Sequence, residues 1–397
     1  MSRITEIQAA LADASLDGWL FYDFRLSDPI AYRILGLPEH GIATRRWFCF
    51  VPRSGDRRKL VSAVESHRLD ALAGSTIVYR SANEMRVGLA EILSGARRVA
   101  MAYSPNCAIP YVSRVDAGTI ELVRSLGVEV ISGADLIQRF EATLTAEQLQ
   151  SHHRAAVTLR KIVDETFAEI ARRIRNRSEA YEHDVQQFVM QRFAANGLIT
   201  AEPPIVAANA HSADPHYGPS PRRPTPIKRG DFVLLDLWAK ESGEQSVYAD
   251  FTWVAFVGEQ APEEHAKIFA IVANARDAAV ELVRRRVASK APVSGRDADR
   301  AARAVIEAAG FGERFLHRTG HSIGREVHGT GANLDSLETD DHRMLIENTC
   351  FSVEPGIYLE GRFGVRLELD MTIEHGRANV SADAIQREII PILASRA

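Results

Sequence analysis

Cysteine is scarce in this chain. Three cysteines (Cys49, Cys107 and Cys350) are spread over 397 residues. An odd number at wide spacing does not make a disulfide framework, and it fits a reducing compartment. Long apolar runs are missing too: no stretch approaches the roughly 18 consecutive apolar residues that a membrane span needs. Charge of one sign is also lacking. A formal net charge of −4 gives no support to nucleic acid or an anionic membrane surface as the main partner. The opening "MSRITEIQAALADASLDGWLFYDF" lacks a basic-then-apolar signal pattern, and its apolar residues recur at helical spacing. No glycine-rich phosphate loop occurs, "SGARR" being an ordinary turn. What remains is 46% hydrophobic and 25% charged residues, the composition of a globular protein. The length exceeds one ordinary core, so the expectation is a two-domain cytoplasmic enzyme.

Up to about residue 140, "GWLFYD", "RRWFCFVP", "RKLVSAV" and "RRVAMAY" read as strands, and "SANEMRVGLAEILSG" and "SRVDAGTIELVRSLG" as helices, the second ending at Gly127. This is an α/β layout. Residues 144–198 form one long, charged helical stretch that stops at Gly197. Its adjacent His152 and His153 read as a solvated pair, because neighbouring helix residues point in different directions and do not converge on a metal. The runs "RRIRNR" and "VRRRVASK" read as solvated helix faces. Beyond residue 200 the order strand, loop, strand, helix, strand is that of an α+β unit. It contains amphipathic helices in "EEHAKIFAIVANARDAAVELVRRRV" and "GRDADRAARAVIEAAGFG". The loop "DPHYGPSPRRPTPIKRG" is too long and irregular to serve only as a connection. The expected domains are 1–144 and 145–397.

Two apolar hairpins carry acids. In "DFVLLDLWAKESGEQSVYADFTWVAFVG" a turn centred on Gly243 places Asp236 directly opposite Asp250, on one face. "CFSVEPGIYLEGRFGVRLELDMTI" repeats the device with Glu354 and Glu368 about a central Gly361. The repetition suggests duplicated half-domains with four carboxylates converging on one face. Opposed like charges destabilise a sheet, and burial adds to the penalty. Protonation of one acid in each pair would relieve it, as would a neutralising arginine such as Arg366. Two matched pairs favour cations instead, since two divalent ions balance four carboxylates. A histidine in the set would shift the preference from calcium or magnesium towards Mn, Fe, Co or Zn. "HRTGHSIGREVHGTG" supplies His317, His321 and His328. His321, between Gly320 and Gly324 and between the two hairpins, is the candidate ligand. His216, in "SADPHYGP", and His328 suit non-ligand roles, shuttling protons or holding a substrate.

In order and context, Asp236 in "LLDLWA", Asp250 in "YADFTW", His321 in "TGHSIG", Glu354 in "SVEPGIY" and Glu368 in "GVRLEL" resemble the ligand signature of the pita-bread metallopeptidases. That group includes aminopeptidase P, prolidase and methionine aminopeptidase. Residues 1–144 resemble, more loosely, the N-terminal α/β domain of aminopeptidase P, prolidase and creatinase. The resemblance implies an α+β fold: a C-terminal pita-bread domain of duplicated αβ halves around a curved antiparallel sheet, preceded by the smaller α/β domain. It also implies two divalent ions, manganese foremost with Co, Zn or Fe as alternatives, bridged by water or hydroxide. Asp236 would bind one ion, His321 and Glu354 the other, and Asp250 and Glu368 both. His216 and His328 match histidines that contact the substrate and the developing tetrahedral intermediate, and Tyr358 and Arg366 match positions that support substrate. Glu354 would help pass a proton to the leaving nitrogen. The implied enzyme is a homodimeric Xaa-Pro dipeptidase or aminopeptidase acting on small peptides with proline at the second position.

The chain departs from the family at Trp253, where many members have arginine, and at Leu369, where an acid often follows the last glutamate. These departures keep open a second enzyme class, a metal-dependent hydrolase or lyase of a small non-peptide metabolite. A third reading is a peptide-binding module without catalysis. Creatinase itself uses the fold without these metal ligands, whereas all five are present here.

Overall fold

The computed structural model describes residues 3–339 and 341–394. The chain divides into two compact units at the Glu141–Ala142 junction. The N-terminal unit is built on one sheet of β1 (Gly18–Asp23), β2 (Trp47–Pro52), β3 (Arg58–Ser62), β4 (Ser75–Tyr79), β5 (Arg98–Met101) and β6 (Glu129–Ser132), in the order β4-β3-β2-β1-β5-β6. β2 runs antiparallel to β1 and β3, and the other neighbours are parallel. The four anticipated strands are there. β4 and β6 were not anticipated: they are the two edges, and each buries a single residue, so neither shows an apolar run or a clean alternation. The two helices start where side chains cap them, with Ser81 accepting from Glu84 N–H and Asp116 accepting from Thr119 N–H.

The C-terminal unit contains the same succession twice. Helices Ala146–Arg175 and Glu182–Ala195 precede β7 (Leu198–Ile199), β8 (Ile205–Ala208) and the hairpin β9 (Phe232–Glu241)/β10 (Ala249–Phe256). Helices Glu263–Ala288 and Gly295–Ala308 then precede β11 (Ser322–Ile323), β12 (Thr349–Val353), β13 (Gly356–Leu359), β14 (Phe363–Arg366) and β15 (Leu369–Glu374), with β16 (Arg377–Val380) and β17 (Ile390–Pro391) following. The stretch expected to be one long helix is therefore two. The first ends with Asn176 as its C-cap, and Arg177 takes a positive φ of 55° that no helix continues through. The expected stop at Gly197 is real, with φ at 70°.

The strands sort their side chains by alternation. On β9 and β10, Val233, Leu235, Leu237, Phe251, Trp253 and Ala255 share a core with Leu159, Ile162 and Phe167 of helix Ala146–Arg175. The opposite face carries Asp236, Asp250 and Thr252. On β12 and β15, Phe351, Val353, Leu369, Met371 and Ile373 pack into the core with Val272, Ala279 and Val283 of helix Glu263–Ala288. Each hairpin thus packs one oily face against a helix; the other face of β9–β10 carries its acids at one end and packs Phe232, Leu234, Val254 and Phe256 into the second core at the other.

His152 is not half of a solvated pair. It is fully buried, its Nδ1 and Nε2 each 2.7 Å from a partner, Tyr248 O and Ser381 Oγ respectively. Both partners lie far away in sequence, so helical spacing could not reveal the burial. Its neighbour His153 remains half-exposed and pairs with Glu374 at 2.8 Å.

Candidate metal centre

The first hairpin differs from the expected register. Asp236 pairs with Thr252 and Asp250 with Trp238, so the turn centres on Glu244 rather than Gly243. The two-residue slip keeps both carboxylates on one face but makes them diagonal rather than opposed. The second hairpin keeps the expected register about Gly361, with Gly356 opposite Arg366 and Val353 opposite Leu369. Its acids lie outside both ladders. Glu354 falls between β12 and β13, and Glu368 between β14 and β15.

That interruption ties the two hairpins together. Glu368 N–H donates to Thr252 O at 3.1 Å, and Glu354 N–H donates to Thr319 O in the turn leading to His321. Thr252 Oγ1 donates to Glu368 Oε2 at 2.7 Å, and Asp250 N–H donates to Asp370 Oδ2 at 2.8 Å. Neither Thr252 nor Asp370 was anticipated. The available signal was their spacing, since each stands two residues beyond an acid and so shares its face.

His321 enters this cluster from its glycine-flanked turn. Gly320 is required there: a Cβ would come within 2.0 Å of Ser352 O. With Nδ1 directed at Ser322 O at 3.3 Å, the ring turns Nε2 towards Glu354 Oε1 at 3.4 Å, Asp250 Oδ2 at 3.6 Å and Glu368 Oε1 at 4.0 Å. A backbone carbonyl on one ring nitrogen and carboxylates around the other is the usual setting of a metal-binding histidine. Ligand atoms of Asp250, His321 and Glu368 all lie within 4.8 Å of one another, and all three residues are buried.

The electrostatics are those of a cluster short of positive charge. Burial, then repulsion from Asp236 and Asp370, pushes the Asp250 carboxyl well above its ordinary range. Burial and then Asp250 do the same to Glu368. Burial raises Glu354 to about 7, against the pull of Arg366 and Arg318. Burial also holds His321 neutral, with His328 and Arg318 adding to the effect. Asp236 Oδ1, Asp250 Oδ1 and Glu368 Oε1 are buried without any hydrogen-bond partner. Orphaned buried acceptors are rare. Three on one cluster fit divalent cations, and so does the oxygen-rich donor set with one imidazole.

Arg366 brings a positive charge into bonding reach of Asp236. Its Nη2 donates to Asp236 Oδ2, its Nη1 to Tyr358 Oη at 3.1 Å, and its Nε to Thr252 Oγ1 at 3.2 Å. Tyr358 Oη lies 2.7 Å from His317 Nε2, whose Nδ1 faces Arg318 O at 2.7 Å. Tyr358 is therefore a buried link between His317 and Arg366. His317, one of the three histidines of "HRTGHSIGREVHGTG", joins the site through this link. The His328 ring stands edge-on to His321, with centroids 4.4 Å apart. Desolvation on its packed side, then Arg318 and His216, hold the His328 imidazole down to about 4. His216 thus lies within electrostatic reach of His328. The structure links eight of the expected residues by these contacts, and His216 follows Pro215, whose carbonyl accepts from Arg366 Nη1 at 3.3 Å.

Residues 154–375 match the family described as Metallopeptidase family M24. The chain belongs to this family. It is 28% identical over 274 residues to the "Probable dipeptidase PepE" of Mycobacterium bovis, covering 69% of this chain and 67% of that one. It is 35% identical over 188 residues to the Xaa-Pro dipeptidase of Lactobacillus delbrueckii subsp. lactis, covering 47% and 44%. The structure of dipeptidase PepE from Mycobacterium ulcerans superposes with a TM-score of 0.74 at 23% identity, covering 98% of this chain and 97% of that one. The prolidase from Thermococcus sibiricus gives a TM-score of 0.63 at 22% identity, covering 98% of each. The fold is therefore the pita-bread arrangement preceded by an N-terminal α/β unit. The M24 chain is a metallopeptidase, a family that works with divalent metal ions.

The two family departures bear less on the substrate than their neighbours in sequence suggest. Trp253 points away from Asp250 and Thr252, and stacks beneath Arg160 at 3.9 Å on the helix side of the sheet. Leu369 points away from Glu368 and Asp370 into the apolar core. Each alternates out of the face that carries the acids.

Proposed function

We propose that this M24 chain hydrolyses Xaa-Pro bonds in small peptides, as an Xaa-Pro dipeptidase or aminopeptidase. Two divalent ions, manganese foremost, would be held by Asp236, Asp250, His321, Glu354 and Glu368. The observation that carries this reading is the set of orphaned, buried carboxylate oxygens gathered beside a neutral His321. The relatives named Xaa-Pro dipeptidase support the substrate class. Bound ions would polarise the scissile carbonyl and lower the pKa of a coordinated water.

The chain's own residues would do the rest. Glu354 lies among the buried acids beside His321, and in this reading it would take a proton and return it to the leaving nitrogen. Arg366 holds Asp236 in place and, with Tyr358, fixes the wall of the site. His216 and His328 face the open side, where they would hold the substrate carbonyl and carboxylate. A tertiary Xaa-Pro amide offers no N–H, so recognition rests on ring shape and these flanking oxygens. Residues 145–397 form the catalytic domain in this reading, with 1–144 as the creatinase-type N-terminal domain. A cytoplasmic location, which the three free cysteines fit, and a homodimer, which the family resemblance implies, belong to this reading. No described helix is long and apolar enough to cross a membrane.

The small-metabolite alternative loses its main support once Trp253 and Leu369 are seen to face away from the acids. The test is proline release from a panel of Xaa-Pro dipeptides and Xaa-Pro-Xaa tripeptides by manganese-loaded protein. Release from at least one substrate class is expected. No release across the panel, with metal bound, would overturn the proposal.

A further inference from the structure

Glu182 opens the helix Glu182–Ala195, and its side chain is almost completely buried, at 1% exposure. Three donors from the following loop converge on it. Ala208 N–H donates at 2.6 Å, His211 Nδ1 lies at 3.0 Å, and Tyr217 Oη donates at 2.6 Å. The His211 and Tyr217 rings stack at 4.2 Å. One carboxylate thus gathers the end of β8, the turn after it, and the residue that immediately follows His216. The helix N-terminus favours negative charge at this position.

The other side of the same segment is pinned to the metal-site strand. Gly364 N–H donates to Ser212 Oγ at 2.9 Å, and Arg366 Nη1 donates to Pro215 O at 3.3 Å. The approach is close enough that a Cβ on Gly364 would lie 2.2 Å from Ser212 O. Within the segment, His216 N–H donates to Asp214 Oδ1 at 3.1 Å. The backbone around His216 is therefore held from Glu182 on one side and from β14 on the other, while the His216 ring itself remains exposed.

We infer that Glu182 is a positioning residue for His216, acting through Tyr217 and His211, so that a buried acid outside the metal cluster sets where the substrate-facing histidine stands. The inference rests on the substrate-holding role proposed for His216. A purely structural Glu182 would destabilise the fold when altered, but its effect on turnover would not depend on whether His216 is present.

Tyr217→Phe separates the two, because it removes one hydroxyl and keeps the stacked ring. With manganese-loaded protein and a cleavable Xaa-Pro dipeptide, Tyr217→Phe should raise KM about tenfold, roughly the worth of one hydrogen bond to a charged group, and leave kcat within about twofold. Backbone amides of residues 212–217 should exchange hydrogen faster, and metal content should be unchanged. In a His216→Ala background the same substitution should change KM by less than about twofold, because coupled residues are non-additive. Glu182→Gln should repeat the pattern. An equal loss in both backgrounds would overturn the inference and leave the role of His216 intact. A His216→Ala variant with unaltered kinetics would overturn both. Unchanged amide exchange in Tyr217→Phe would overturn the anchoring itself, whatever the activity.

Discussion

In the β9–β10 hairpin both aspartates sit within an unbroken ladder, whereas in the second hairpin the ladder stops at Glu354 and Glu368 and resumes beyond them. The difference follows from what each backbone has to bond. Asp236 and Asp250 reach the cluster with short side chains from a regular strand. The glutamates lend their N–H groups to Thr319 O and Thr252 O instead of to each other. That redirection joins the two hairpins to the His321 turn. One half of the duplicated unit supplies a rigid face, and the other supplies the joints that close a cluster upon it.

The sharpest way to break this comparison is to remove an acid from the rigid half. Asp250→Ala should lower kcat/KM by about a thousandfold or more, since metal-derived stabilisation is worth several kcal/mol, while circular dichroism stays native. An active, metal-replete Asp250→Ala protein would refute its bridging role. Next in size is an acid effect at His152, which is bonded to Ser381 and lies beside Cys350 of β12, on the strand face that also carries Ser352. Burial pushes the His152 imidazole down to about 4. The unfolded chain therefore binds more protons than the folded one between that value and an ordinary histidine pKa near 6.5. Stability is full above about pH 6.5 and falls as pH drops towards 4, by about 3 kcal/mol. Urea titrations across that range should show the slope, and His152→Asn should reduce it by the share of His152, leaving the part due to His328.

A smaller effect probes the joint itself. Thr252→Val removes the hydroxyl shared by Glu368 and Arg366 and should weaken manganese binding about 10- to 100-fold by calorimetric titration, the usual cost of losing a group that orients a ligand. The smallest expected effect lies on the opposite face of β10. Trp253→Phe should cost about 1 kcal/mol of stability through its stack with Arg160, and leave kcat/KM within about twofold. A large kinetic effect there would mean that the departure at Trp253 does reach the substrate.

Most of the centre was legible because acids and histidine recur at spacings that alternation converts into a shared face. The exact pairing of Asp236 was not legible, since a polar turn such as "SGEQSV" can centre on either of two neighbouring residues without exposing an apolar side chain. The gaps at Glu354 and Glu368 were hidden for another reason: they depend on acceptors at Thr319 and Thr252, more than thirty residues away in sequence in one case and more than a hundred in the other. The burial of His152 and the link from His317 through Tyr358 to Arg366 share that cause. The edge strands β4 and β6 escaped because edges need little apolar surface. Sequence periodicity reports which face a residue occupies. It carries no record of which distant carbonyl or hydroxyl completes the bond.

The most direct measurement is the metal content of protein loaded with manganese, desalted and assayed by elemental analysis. Two ions per chain are predicted, falling when Asp250 is replaced by alanine. Manganese-free protein after loading, with its fold intact, would contradict the claim that divalent cations balance these buried acids.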